Sequence, residues 1–258
     1  MEKTILDFDI EQIANSGQCF RITRKDAITW KVVAFKKELY ITKLSERDYA
    51  FNCDEKEFNE IWYGYFDLQR DYKKVKENIK RINDPYLTAA VNYGFGLRIL
   101  QQDPWESIVS FIISQRNNIP RIIKIIDRLC EPYDGFFPSP EDLFVYTEID
   151  FRNLGLGYRA MYLVEITKAV INKKLEIEKI KNMNTKDSIE YLKNFIGIGD
   201  KVANCIALFG FSKIDAFPID TWINRIISAH YNGHLDIDRF KEYAGIVQQY
   251  MFFYQRSL

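Results

Sequence analysis

The residue whose placement most demands a chemical reason is Lys201. It lies in Leu192-Lys193-Asn194-Phe195-Ile196-Gly197-Ile198-Gly199-Asp200-Lys201-Val202-Ala203-Asn204-Cys205-Ile206-Ala207. One apolar-periodic segment, with Ile189, Leu192 and Ile196 on its inner stripe, stops there at glycine, and a second, with Val202, Ala203 and Ile206 inward, starts at once. Gly197 and Gly199 permit a turn too tight for side chains, and Ile198 plugs the space between the two helices. The pattern is a helix-hairpin-helix, whose second helix presents backbone N–H groups as a phosphate seat without side-chain charge. Gly-x-Gly also occurs in dinucleotide sites, but those follow a strand, and the segment before Gly197 has a helical period. A purely structural turn between helices stays open. Lys201 weighs against it, because a cation in the first turn opposes the positive end of the helix dipole. Burial and that dipole both favour the uncharged amine, the form that attacks an electrophilic sugar carbon and gives a Schiff base. Further on, Ala216-Phe217-Pro218-Ile219-Asp220-Thr221-Trp222 places Asp220 before an amphipathic helix with Ile223, Ile226 and Ile227 inward. Asp220 is either a helix cap or an ionised carboxylate facing a developing oxocarbenium.

Other elements must position these groups. Residues 16–52 alone have a β reading: 19–22, 29–35 and 39–42 are β-branched and aromatic runs separated by charged turns, which predicts a small antiparallel sheet. From about residue 54 the period becomes helical, with Phe58, Ile61, Trp62 and Tyr65 on one face. Residues 70–81 read as a basic, solvated helix. Trp105, Ile108, Val109, Ile112 and Ile113 form one apolar stripe, and Ile122, Ile123, Ile125, Ile126 and Leu129 the next. Gln115-Arg116-Asn117-Asn118-Ile119-Pro120 separates them, with Asn118 as cap and Pro120 in the first turn. Helices are expected at about 140–146, 159–173, 186–196, 200–210, 220–231 and 237–254. The fold class is therefore α+β: residues 1–96 form an N-terminal domain with an antiparallel sheet and flanking helices, and 97–258 a mostly helical domain containing the hairpin.

Composition narrows the class. The 258 residues carry 36 Lys+Arg against 36 Asp+Glu and are 47% hydrophobic, which excludes a disordered chain. The four cysteines, Cys19, Cys53, Cys130 and Cys205, never form C-x-x-C, which argues against a zinc ribbon, a redox pair or an iron–sulfur loop and reads as reduced thiols. No apolar run follows a basic start at the N-terminus, and no stretch is long enough to span a membrane, so a cytoplasmic protein is expected. Neutral net charge leaves a nucleic-acid partner open.

The run from Gly197 to Ala203, followed by Pro218-Ile219-Asp220, resembles the helix-hairpin-helix DNA glycosylase superfamily. Ser16-Gly17-Gln18-Cys19-Phe20-Arg21, Gln102-Asp103-Pro104, Ser110-Phe111-Ile112, Asn117-Asn118-Ile119, Leu154-Gly155-Leu156-Gly157-Tyr158-Arg159-Ala160, and Gln248 with Phe252 resemble, in order, the 8-oxoguanine DNA glycosylase/AP lyase family. The resemblance spans nearly the whole chain. It implies a bifunctional enzyme that flips 8-oxoguanine out of duplex DNA, with Lys201 as catalytic lysine and Asp220 as catalytic aspartate. Gly17 would accept a hydrogen bond from N7–H, which normal guanine lacks. Phe252 and Cys205 would sandwich the base, Gln248 would bond its Watson–Crick edge, and Pro218 would line the pocket. Tyr158 would wedge the stack, Arg159 and Arg121 would read the opposite base, and Asn117 would lie in the strand-separating loop. Gly197, Gly199, Val202 and Trp222 would contact the DNA backbone. An aromatic and an amide four residues apart on one helix suit stacking and edge recognition, although peripheral packing accounts equally for Phe252 and Gln248.

Two positions depart from the pattern. Arg116 stands where eukaryotic-type relatives carry the first of three asparagines, and Trp222 replaces a histidine often found after the aspartate. No cofactor is called for, and the sequence leaves open whether the hairpin holds a monovalent cation. The implied partner is double-stranded DNA containing 8-oxoguanine, bound by a monomer associated with the nucleoid. Lys201 and the lack of a C-terminal four-cysteine cluster weigh against glycosylases for other lesions. The two rivals are a helix-hairpin-helix glycosylase for another damaged base and, from another class, a non-catalytic DNA-binding module.

Overall fold

The computed structural model describes all residues, Met1–Leu258. Five strands, β1 (Glu2–Thr4), β2 (Ile22–Arg24), β3 (Thr29–Ala34), β4 (Lys37–Lys43) and β5 (Asp48–Phe51), form an antiparallel sheet in the order β1-β5-β4-β3-β2. Register is set by alternation: Trp30, Val32, Leu39, Ile41, Tyr49 and Phe51 point to one buried face, and Ile41 stands opposite Phe51. Phe8 meets Tyr49 edge-on at 4.9 Å and Phe66 at 5.4 Å, closing the core beneath the sheet.

The helices are α1 (Ile10–Asn15), α2 (Glu55–Glu57), α3 (Tyr63–Tyr65), α4 (Tyr72–Lys80), α5 (Pro85–Tyr93), α6 (Pro104–Ser114), α7 (Ile119–Cys130), α8 (Pro140–Phe144), α9 (Glu148–Asn153), α10 (Arg159–Ile171), α11 (Ile177–Lys181), α12 (Thr185–Lys193), α13 (Asp200–Gly210), α14 (Thr221–His230) and α15 (Ala244–Gln255). A π-helical turn, Phe58–Trp62, joins α2 to α3. Asn118 caps α7 by accepting from Arg121 N at 3.0 Å, with Pro120 in the first turn, as the sequence predicts. The basic segment is α4, whose Tyr72, Val75 and Ile79 are buried while Lys73, Lys74 and Lys80 are exposed and Lys76 pairs with Asp7.

Four expectations need correction. β1 and β5 have no counterpart in the sequence reading, and residues 19–21 are loop, so the first strand starts only at Ile22. Strands three or four residues long carry too little alternation to register as a pattern. A single helix over 237–254 is replaced by a 3-10 turn, Asp238–Tyr243, in which Lys241 takes φ +50°, followed by α15. Tertiary anchors override the period there: Arg239 pairs with Asp84 at 2.8 Å and Phe240 stacks on Phe217 at 6.1 Å. Ile196, assigned to an inner stripe, is 48% exposed, because α12 ends at Lys193 and Ile196 belongs to the turn.

The chain forms two compact units: Met1–Val33 with Glu38–Gln101 and Phe217–Leu258, and Ala34–Lys37 with Gln102–Ala216. The last segment, Phe217–Leu258, belongs to the same unit as the N-terminal sheet. The reason is side-chain chemistry on α15: Tyr86 donates to Gln255 Oε1 at 3.0 Å, and the rings of Tyr93 and Phe253 lie 5.2 Å apart. No helix is long and apolar enough to cross a membrane.

Candidate active site

In the second unit, α12 and α13 make the hairpin. Gly197 has φ +82°, and a Cβ there would lie 2.6 Å from the Tyr162 ring, so glycine is required twice over. Ile198 is 4% exposed and fills the space between the helices. Around Gly199 nothing lies within 4 Å of a notional Cβ, so this backbone is open to close approach. The first helical hydrogen bond of α13 runs from Ala203 N to Gly199 O at 2.9 Å, which leaves the N–H groups of Asp200, Lys201 and Val202 with no helical carbonyl behind them. Val202 itself is buried, so any contact it offers is through its backbone.

Electrostatics in the first turn separate two neighbours. Asp200, the nearest carboxylate in sequence to Lys201, is taken by Lys193 at 2.7 Å, and that ammonium holds the Asp200 carboxyl below its usual range. Lys201 is half-buried and makes no ion pair. Its Nζ stands 5.6 Å from the centre of the Phe111 ring, which in turn stacks on Phe209 at 5.4 Å. Cys205, one turn later, is buried and reduced.

The polar break between α6 and α7 is bound to the hairpin. Gln115 Nε2 donates to Gly197 O at 2.8 Å. Arg116 is exposed at φ +45°, a backbone region unusual for arginine. Arg159 is 4% exposed and spends its fork on this loop: Nε and Nη2 both donate to Gln115 O, the former at 2.8 Å, and Nη2 also to Arg116 O at 3.1 Å. Its ring-stacking partner is Tyr158, 4.5 Å away and 45% exposed. In this arrangement Arg159 braces the loop, and Arg121, exposed, bonds to Gly155 O at 3.2 Å. Asn117 folds back onto Ile113 O at 3.2 Å.

In the first unit, Asp220 caps α14, accepting from Ile223 N at 2.9 Å, so the capping role is real. Pro218 is buried just before it, and Trp222 is half-buried beneath Arg225 at 5.1 Å. Gly17 has φ +76°, and its carbonyl accepts no hydrogen bond. On α15, Gln248 is 4% exposed with Oε1 unpartnered. Phe252, one turn on, is half-buried under the Arg256 guanidinium at 5.4 Å. Partial burial pushes the Arg256 pKa down, and the Asp220 charge opposes that shift. Arg256 thus joins Phe252 and Asp220 although no sequence motif marks it. Gln249 and Tyr162 carried no signal either, and Phe111 and Gln115, though they lie in segments singled out above, gave no sign of these contacts, because each acts through a partner remote in sequence. No group of three or more His, Cys, Asp or Glu converges as metal ligands would.

Comparisons with known proteins agree with this layout. Residues 1–108 match the 8-oxoguanine DNA glycosylase N-terminal domain, and residues 109–242 the HhH-GPD superfamily of base excision DNA repair proteins. An N-glycosylase/DNA lyase of Saccharomyces cerevisiae is 35% identical over 69% of this chain and 53% of its own length, so the match spans about half of that relative. A probable N-glycosylase/DNA lyase of Methanothermobacter thermautotrophicus is 30% identical over 97% of this chain and 94% of its own. The 8-oxoguanine glycosylase/lyase of Clostridium acetobutylicum, solved with double-stranded DNA containing cytosine opposite 8-oxoG, superposes with a TM-score of 0.91 at 35% identity, covering 100% of this chain and 98% of that one. With an N-terminal sheet domain and a Gly-x-Gly hairpin carrying an unpaired lysine, the chain belongs to the 8-oxoguanine DNA glycosylase family of the HhH-GPD superfamily.

Proposed function

We propose that the protein is a bifunctional DNA glycosylase and abasic-site lyase that excises 8-oxoguanine from double-stranded DNA, acting as a monomer at the nucleoid. The observation that carries this reading is the isolation of the Lys201 amine, half-buried over Phe111 while Lys193 occupies the adjacent Asp200. A lysine kept only for stability would not stand unpaired in the first turn of a helix, where the dipole disfavours a cation. The names of the relatives support the same chemistry.

The open backbone at Gly199 and the N–H groups of residues 200–202 grip a phosphate. Tyr158 and Asn117 occupy the space the base leaves, Arg121 faces the opposite strand, and Trp222 with Arg225 lies along the backbone. Extrusion of the base costs a few kcal/mol, offset by stacking on Phe252 and Cys205 beside Pro218 and by the edge contact to Gln248, whose orphaned Oε1 awaits a donor. Gly17 O accepts from N7–H of 8-oxoguanine. Lys201 Nζ then bonds to C1′ as the glycosidic C1′–N9 bond breaks, its electron pair leaving with the base, which is protonated. Opening of the sugar ring gives the imine, and loss of a C2′ proton expels the 3′ phosphate. Asp220 stabilises the positive charge on the sugar as it develops.

The test is strand cleavage of duplexes carrying 8-oxoguanine opposite each of the four bases, with wild type and Lys201→Gln in parallel. Cleavage by wild type that is lost in the variant supports the reading. Equal, marginal turnover on all four would leave only DNA binding.

A further inference from the structure

The turn that ends in Gly17 is held by the last helix through two donors that the proposed chemistry does not use. Gln249, 2% exposed, directs Nε2 to the Ser16 carbonyl at 2.7 Å. Arg256, two helical turns further along the same face, directs Nη1 to the Asn15 carbonyl at 3.2 Å. Three consecutive carbonyls therefore differ: those of Asn15 and Ser16 are taken, and that of Gly17 accepts nothing. The other side is fixed as well. Gln18 Nε2 donates to the Ser16 hydroxyl at 2.9 Å and to Arg98 O at 2.8 Å, and Leu100 N donates to Gln18 Oε1 at 2.7 Å.

Glycine is the loosest residue in a chain, and a carbonyl that must tell an N–H from a bare nitrogen does so by direction. Peptide planes are rigid, so anchoring the Ser16 carbonyl fixes the plane that enters Gly17. We propose that Gln249 and Arg256 are positioning residues for lesion discrimination: by tying the Asn15 and Ser16 carbonyls to α15 they aim the Gly17 carbonyl at the N7 edge of a purine whose stacking and edge contacts, Phe252 and Gln248, ride on the same helix. The inference rests on the assignment of Gly17 as the group that reads N7–H. A merely structural Gln249 would satisfy the buried Ser16 carbonyl and have no bearing on which base is held.

Two measurements separate these. In a Lys201→Gln background, where chemistry is stopped, the ratio of Kd for guanine and 8-oxoguanine duplexes reads discrimination alone. In the Lys201 protein, cleavage at a preformed abasic site, which needs no base contact, reports an intact fold. Gln249→Met keeps length and burial but removes the donor. It is expected to narrow the Kd ratio about tenfold, the scale of one neutral hydrogen bond, and to leave abasic cleavage within about twofold. Arg256→Gln, which removes the guanidinium that bonds the Asn15 carbonyl, is expected to narrow the same ratio more weakly and supplies the test if Gln249→Met fails to fold. An unchanged ratio in both variants overturns the inference, and so does a parallel loss of binding to both duplexes. If the parent protein itself shows no preference for 8-oxoguanine, the reading of Gly17 falls first and the inference with it.

Discussion

Gly197 and Gly17 both take positive φ, +82° and +76°, but what enforces those values differs. At Gly197 the cause is steric, since the Tyr162 ring occupies the place of a Cβ, and the two helices that meet there are consecutive in the chain. At Gly17 it is a set of hydrogen bonds whose donors come 233 and 241 residues later than the carbonyls they hold. The hairpin that delivers the reacting amine thus needs two consecutive helices and one ring from α10, whereas the turn that would identify the lesion is tied to the far end of the chain. Attack needs one amine in one place, which a glycine turn packed against a single ring supplies. Reading a base needs several groups from remote segments, and their closure entropy is met only by the complete fold.

That contrast can be broken in four places. The largest effect is expected at Lys201→Gln, which removes the nucleophile and lowers strand cleavage by at least about a thousandfold with little change in melting temperature. Gly197→Ala comes next: the Tyr162 ring 2.6 Å from the new methyl, added to the positive φ, costs about 2–4 kcal/mol in urea unfolding. If Gly197→Ala melts like wild type, the hairpin is not sterically set. Gly17→Ala bears backbone strain at φ +76°, about 1 kcal/mol by the same measurement, and should erode the preference for 8-oxoguanine over guanine. A variant that keeps full discrimination removes the proposed reading contact.

The smallest effect is acid sensitivity. Lys193 depresses the Asp200 pKa, so the contribution of that pair is present above the ordinary carboxylate range and lost as pH falls through the lowered value. The Gly17 turn relies on neutral amides and a guanidinium that stays charged. Hydrogen exchange corrected for intrinsic rates should therefore rise below about pH 4 around residues 195–203 and not around 15–18. Loss of protection in both segments together would mean that the two are not independently held.

Legibility in the sequence follows the same line. The hairpin, the stripes of α6 and α7, and the caps at Asn118 and Asp220 are visible because each is a pattern over neighbouring residues. β1 and β5 are not, since three or four residues acquire strand identity only from pairing, as Lys3 does opposite Tyr49. The kink at Lys241 follows from Arg239 and Phe240 finding distant partners, which no local period encodes. Arg159 shows the limit most clearly: its position was legible, but its use as a brace for Gln115 and Arg116 depends on a loop more than forty residues earlier. The Gly17 clamp left no trace in the sequence, because Gln249 and Arg256 find their carbonyl partners more than two hundred residues away.

Borohydride reduction during turnover of a duplex containing 8-oxoguanine tests the central claim most directly, because it captures the bond between Lys201 Nζ and C1′. Wild type is expected to give a covalent protein–DNA species that maps to Lys201 and is absent from Lys201→Gln. Excision of the base by wild type with no trapped species, or trapping that persists in Lys201→Gln, would contradict it.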